Sequence, residues 1–406
     1  MTEQGDRVEQ VTPADMVARA ESLRPRLLAE QAATEARRFY SLELHEEFRD
    51  AGLYRLLTPR RYGGLEFDLP TFYRVVVAIA RGCASSGWMF ALGTAHSLQL
   101  ASYFSAQAQD ELFASGHFVA SASFGFQDAS AVVVEGGYRI SGTWHFCSGV
   151  PHATHHMPLV PLEGTNGIVA VVPREQFEML DNWGDLIGLK GSGSHSVVIE
   201  DVFVPTHRTI TLEEWLAIGV SETPGYTLHG NPLYGGSFMA VALGELNAVQ
   251  VGAAQGAIDE YERLLQRPTR QAGAAEGRKR SEDPDFQRLL GLALSYTDAA
   301  ESILIRCGEL YHAYAREAME GGAPFGQERT FRIYGQLMTA HKLCWEAGDM
   351  VFRAGSTTGA RDGAVLQRFW RDLCAFRTNG IHQHDFRATA IAQAHLGQPI
   401  DFFEQT

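Results

Sequence analysis

GGYRISGTWHFCSG, residues 136–149, is the stretch whose reading decides the fold. Large residues alternate with small or polar ones: Tyr138 and Ile140, then Trp144 and Phe146, with Ser148 closing the series. A period of two belongs to strands rather than helices, and Ser141-Gly142 reads as a turn joining two of them. The second strand runs into Phe146-Cys147-Ser148-Gly149, an aromatic followed by a hydroxyl at a glycine. Trp144 and Phe146 can lay an apolar wall against a planar ring. The Ser148 hydroxyl and a backbone N–H at Gly149 can then meet its polar edge. An ordinary hairpin would carry the same pattern.

Working outward, strand-like runs occupy 119–123, 131–135, 138–140, 144–148, 168–172 and 197–204, punctuated by glycine, proline and Asn/Asp turns. Short strands in this number predict a small barrel or sandwich. Both flanks read as helix. Thr12-Pro13-Ala14-Asp15 is an N-cap with proline in the first turn, and Met16, Leu23, Leu27 and Leu28 recur at helical spacing. A long helical region covers 69–113 and includes the small-residue run GCASSGW, 82–88, followed by His96. After the Gly/Pro-rich stretch 219–236, the segments 237–263, 285–319, 328–352 and 381–396 predict a four-helix bundle. The expected organisation is α+β in three parts: an N-terminal helical domain (1–117), a central β-domain (118–227) and a C-terminal helical bundle (228–406).

The 406 residues suffice for such a composite. A net charge of -14 and a pI near 5.5 argue against nucleic acid or an anionic membrane as main partner. No apolar run approaches a membrane span and the N-terminus is polar, so the cytoplasm is the expected location. The five cysteines are odd in number and lack CxxC spacing, which predicts free thiols rather than disulfides or zinc. His152, His155 and His156 have no acid or cysteine at ligand spacing and read as a cavity-lining loop, so no metal is expected. There is no GxGxxG after a strand and no P-loop, hence no nicotinamide or nucleoside triphosphate site.

Three segments together carry a resemblance. These are GL…P…YGG (52–64), LKGSGSHSVVIEDVFVP (189–205) and W-x-F-x-S-G (144–149). In this order, between helical flanks, they resemble the acyl-CoA dehydrogenase fold, and more narrowly its oxygenating branch, the two-component flavin-dependent monooxygenases. The resemblance implies hydroxylation of an aromatic or heteroaromatic small molecule by reduced flavin (FMNH2 or FADH2) and O2, through a flavin C4a-(hydro)peroxide. It also implies a separate NAD(P)H-dependent flavin reductase and a homotetramer, with which the Ala/Gly-rich run from Ser237 agrees.

Carried onto this chain, Ser148 falls where a hydroxyl meets flavin N5. Phe146 flanks the ring with Gly149 next in the turn, Trp144 joins them as a cofactor-binding residue, and Ser121 and Ser123 stand where dehydrogenases carry a Thr-Glu-Pro run. His96 would hold the substrate. RFWRDLCAFRTNGIHQHD, 368–385, resembles the loop ahead of the last helix; where dehydrogenases place a catalytic glutamate, it reads Asn379-Gly-Ile-His-Gln-His. His384, with His382 competing, would serve the hydroperoxide or the substrate proton. Asp385 would fix a histidine tautomer or cap the last helix. Arg278 and Arg280 read as a solvated charge run. An acyl-CoA dehydrogenase or oxidase, an N- or S-oxygenase, and a non-catalytic binding protein on this scaffold remain open alternatives at this point.

Overall fold

The computed structural model describes residues 11–216, 223–268, 279–378 and 384–400. Helix α1 (Pro13–Arg37) starts as the sequence predicts. Thr12 and Asp15 form a reciprocal capping box, and Met16, Ala20, Leu23, Leu27, Gln31 and Thr34 make one buried stripe. Helix α2 (Leu42–Asp50) is capped by Ser41. The long helical region resolves into α3 (Leu69–Gly82), α4 (Ala84–Tyr103) and α5 (Ala106–Leu112). The break before α4 is Cys83, whose φ of -159° is extended. It lets the second helix fold back so closely that a Cβ on Gly87 would lie 2.6 Å from the Ala80 Cβ. Nearly every residue of α4 is buried, which explains its lack of an amphipathic pattern.

The middle of the chain supplies two sheets. Their strands are β1 (Ala120–Ser123), β2 (Gly125–Val134), β3 (Gly137–His145), β4 (His155–Val160), β5 (Ile168–Ala170), β6 (Val172–Pro173), β7 (Glu178–Leu180), β8 (Ser196–Pro205) and β9 (Thr209–Thr211). One sheet runs β1-β4-β5-β9 with β6 also on β4; the other runs β2-β3-β8-β7. Only the β1–β4 pairing is parallel. Ile140, Trp144, Val160, Ile168, Val172, Val197 and Ile199 fill the space between them.

Here the structure corrects one reading. Ser141-Gly142 is not a turn: β3 runs straight through it, and the hairpin turn lies instead at Glu135-Gly136, between β2 and β3. Gly142 sits at a register shift with φ 153°, where a Cβ would come within 2.6 Å of the Ala129 Cα. The glycine therefore marks a bulge that brings two backbones together, the other common use of glycine inside a strand.

After the sheets come α6 (Leu212–Trp215), α7 (Pro224–His229), α8 (Phe238–Leu265), α9 (Pro284–Met319), α10 (Gln327–Ala354), α11 (Ser356–Gly359), α12 (Val365–Arg377) and α13 (His384–His395). The expected bundle has an additional member. Arg368-Phe-Trp-Arg-Asp372 is not a loop but the middle of α12, which packs on α8. Helix α8 lies at the centre. Its glycines are consumed inside the chain: Gly244 meets the Tyr73 ring, Gly252 the Val77 carbonyl and Gly256 the Phe369 ring. The small-residue run is thus explained by packing within one protomer and says nothing about subunits. Among the described residues no helix is long and apolar enough to cross a membrane.

Candidate active site

Strand β3 ends at His145, and the next four residues turn sharply. Phe146 has φ 61° and Gly149 φ 80°, both in the left-handed region. The Cys147 N–H donates to the His195 carbonyl and the Gly149 N–H to the Ser192 carbonyl, so the turn is pinned to the loop leading into β8. Period-two alternation would place Trp144 and Phe146 on one face, but the backbone at Phe146 breaks that period. Trp144 is fully buried between the sheets, its indole N–H donating to the Leu159 carbonyl at 2.7 Å. It is a core residue and not a cofactor wall. Phe146 points outward, 67% exposed, with its ring edge-on to Trp183.

Ser148 is buried and sits in a row of hydroxyls. The Trp88 indole N–H, from α4, donates to Ser148 Oγ at 2.9 Å. Ser148 Oγ lies 2.8 Å from Ser194 Oγ, and Ser194 Oγ lies 2.8 Å from Ser192 Oγ. An indole can only donate. Ser148 therefore accepts from Trp88 and keeps its own proton for Ser194 or for a group placed beside it. Sequence reasoning missed Ser192, Ser194 and the role of Trp88. The available signal was Gly-Ser-Gly-Ser itself: with Gly193 at φ 57°, the two serines around it turn onto one cluster.

His96 is buried on α4. Its Nδ1 donates to the Ala120 carbonyl at 2.6 Å, which fixes the tautomer and leaves Nε2 as an acceptor. Burial pulls its pKa down to about 4, so the ring is neutral at neutral pH. On the neighbouring strand pair, Ser121 Oγ meets His156 Nδ1 at 2.9 Å, and both are fully buried. Burial, with His96 close by, takes His156 down to about 3. Ser121 is thereby committed to a histidine, and Ser123 donates to the His145 carbonyl, closing the β1–β2 corner. Both hydroxyls thus already have partners within the β-domain.

The three histidines read as a cavity loop instead diverge. His152 stacks on His45 and Tyr40, His155 on Phe118, and His156 enters the sheet core. His382 lies outside the described residues. His384 and Asp385 open α13, with side chains outside the described set, and Arg278 is also outside it. Arg280 lies over the Phe286 ring.

The serine loop has its own supports. The Leu189 N–H donates to Asp372 Oδ1 at 2.6 Å, the Gly191 N–H to Ser85 Oγ at 3.2 Å and the Gly193 N–H to the Arg38 carbonyl at 2.8 Å. Three helices, α12, α4 and α1, thus fix one loop. A separate polar cleft of about 370 Å³, lined by Glu66, Asp68, Asn231, His312 and Arg316 among others, shares no residue with this site. Its polar groups serve the fold: Glu66 takes the Arg60 N–H and the Asn231 amide, and His312 Nε2 accepts the Leu69 N–H.

An exposed ring beside a buried row of hydroxyls with one fixed donor suits a flat heteroaromatic group with a polar edge. The comparisons agree. Family models describe residues 14–115 as an acyl-CoA dehydrogenase N-terminal domain and 246–384 as an acyl-CoA dehydrogenase C-terminal domain. The chain is 30% identical to the flavin-dependent monooxygenase oxygenase subunit HsaA of Rhodococcus jostii (strain RHA1), over 94% of this chain and 98% of that one. It is 28% identical to an FADH(2)-dependent resorcinol hydroxylase oxygenase component from Rhizobium sp. (strain MTP-10005), over 86% of each. Among solved structures, XiaF from Streptomyces sp., in complex with FADH2 and glycerol, superposes with a TM-score of 0.85 at 25% identity, over 95% of this chain and 96% of that one.

Proposed function

This chain belongs to the oxygenase components of flavin-dependent monooxygenases on the acyl-CoA dehydrogenase fold, and from that premise we propose that it hydroxylates the ring of a small phenol-like substrate held by His96. The dehydrogenase and oxidase alternatives give way to that membership. The observation that carries the reading of the site is the Ser148 hydroxyl, fixed by Trp88 and Ser194.

Reduced flavin, when bound, supplies the electrons that activate O2. The residues that would hold it are Ser148, whose oxygen could accept the N–H that a reduced flavin carries at N5, and Phe146, flanking the ring. Ser192 and Ser194 orient Ser148, and the burial of all three serines keeps water from that edge. His96 Nε2, an acceptor on a neutral ring, would take the hydrogen bond of a phenolic O–H and orient the ring carbon beside it. We assign the substrate proton to His384, with His382 as its competitor. A separate NAD(P)H-dependent reductase, a homotetrameric assembly and a cytoplasmic location complete the proposal.

Anaerobic stopped-flow tests it. The protein is mixed with photoreduced FMN or FAD, then with O2 and a panel of phenols. The expected outcome is a transient absorbance ahead of oxidised flavin and a hydroxylated product. Reoxidation at the rate of free flavin, with oxidised FAD co-purifying instead, would sink the reading. In the same assay His384→Ala should consume O2 with about a tenfold loss of product per O2; unchanged coupling would remove that assignment.

A further inference from the structure

The serine loop is built on an acid that the reaction just described does not use. Asp372 lies in the middle of α12 and is buried, yet its Oδ1 reaches the loop to accept the Leu189 N–H at 2.6 Å. Leu189 has φ 53°, so its backbone departs from what a leucine normally adopts. The contact is backbone to backbone as well: a Cβ on Gly188 would meet the Arg371 carbonyl at 2.1 Å. The loop cannot shift on α12 without losing both. Three residues beyond Leu189 come Ser192 and then Ser194, the partners of Ser148.

We propose that Asp372 is a positioning residue for the oxygenase site, holding the 189–194 loop so that Ser192 and Ser194 orient the Ser148 hydroxyl. The inference rests on the reading of Ser148 given above. The groups around the carboxyl are Glu35 from α1, Arg368 and Arg371 on α12 itself, Cys374 beside them, and Cys83 at the break before α4. Both arginines are turned away to Glu35, Arg371 Nη2 at 2.7 Å and Arg368 Nε at 3.3 Å. Asp372 is thus left with a backbone amide rather than a cation. Burial, opposed mainly by that amide, pushes its pKa up to about 7. Its charge therefore changes near neutrality, and an ionised carboxylate holds an N–H more strongly than a neutral acid does. The loop should tighten as the pH rises through about 7.

Two substitutions separate the possibilities. Asp372→Asn keeps an acceptor for Leu189 and removes the titration; Asp372→Leu removes both. The measurement is the affinity for photoreduced FMN and FAD, read anaerobically by tryptophan quenching between pH 6 and 8.5, with the ionisation of the free reduced flavin divided out of each profile. Wild type should bind about threefold or more tightly above the midpoint than below it. Asp372→Asn should bind at the wild-type low-pH level throughout, with no midpoint. Asp372→Leu should bind about tenfold more weakly at every pH with its far-ultraviolet circular dichroism intact. Should the leucine variant fail to fold, the flat profile of Asp372→Asn decides alone. A wild-type midpoint retained in Asp372→Asn, or wild-type affinity in Asp372→Leu, overturns the inference. If the wild-type chain binds neither reduced flavin, the functional reading falls and takes the inference with it.

Discussion

The Trp88–Ser148 hydrogen bond joins a helix of the N-terminal half to the turn after β3, with its serine end buried and its indole half-buried. Removing the hydroxyl in Ser148→Ala strands the indole N–H and leaves Ser194 with Ser192 alone. It should cost about 1–3 kcal/mol in stability, the price of an unmade buried hydrogen bond. A lost preorganised hydroxyl should lower product per O2 by about a hundredfold. Denaturant titration and coupled product assays check the two effects separately, and wild-type coupling would show that Ser148 does not face the flavin. Ser148 as a candidate was legible in the sequence; which way its neighbours face was not. Ser148 follows an aromatic and precedes a glycine, and that local signal survives folding. Trp144 shares the signal yet lies in the core with Ile140 on the buried face of β3, and the left-handed φ of Phe146 sends only the second ring outward. Ser192 and Ser194 were hidden for a related reason: their convergence depends on a left-handed glycine and on three helices distant in sequence.

At the scale of elements, the strands were legible from alternation and the helix starts from capping. The breaks were less so. Ser-Gly inside β3 has the composition of a turn, but a bulge needs glycine for a different reason, the approach of a second backbone. Gly142→Ala tests that difference. The new Cβ would fall 2.6 Å from Ala129 at a φ of 153°, so the variant should lose about 2–4 kcal/mol, visible as a lower urea midpoint. A loop-like tolerance, within about 0.5 kcal/mol, would contradict the bulge. Helix α12 escaped notice because the resemblance marked 368–372 as a loop. The apolar positions Leu366, Phe369, Leu373 and Phe376 nonetheless recur every three or four residues, and with Asp372 they are the buried ones.

At the scale of the whole molecule, the buried histidines set a limit on acid stability. Burial takes His96 to about 4 and His156 to about 3, below their unfolded value of 6.5. The unfolded chain then binds protons that the folded chain refuses, so stability is complete above pH 6.5 and falls as the pH drops toward 4. At about 1.4 kcal/mol per unit, the two together should cost several kcal/mol over that window. Thermal midpoints measured from pH 7 down to 4.5 should decline steadily, and His156→Gln should flatten part of the decline. A midpoint independent of pH across this range would mean that these rings are solvated.

The Glu35 clamp has a consequence in time. Its two arginines lie 333 and 336 residues further along the chain. At a synthesis rate of roughly 5–20 residues per second, the first helix leaves the ribosome about 15–70 s before Arg368 exists. During that interval the stripe of Met16, Leu23 and Leu27 already has α3 to pack on, but Glu35 meets neither arginine of α12. The first helix is thus seated early by α3, and its C-terminal end is closed only by the far end of the chain. Nascent chains stopped before residue 365 should therefore leave the last turn of α1, at Glu35, more open to protease, while chains released after residue 377 should protect it.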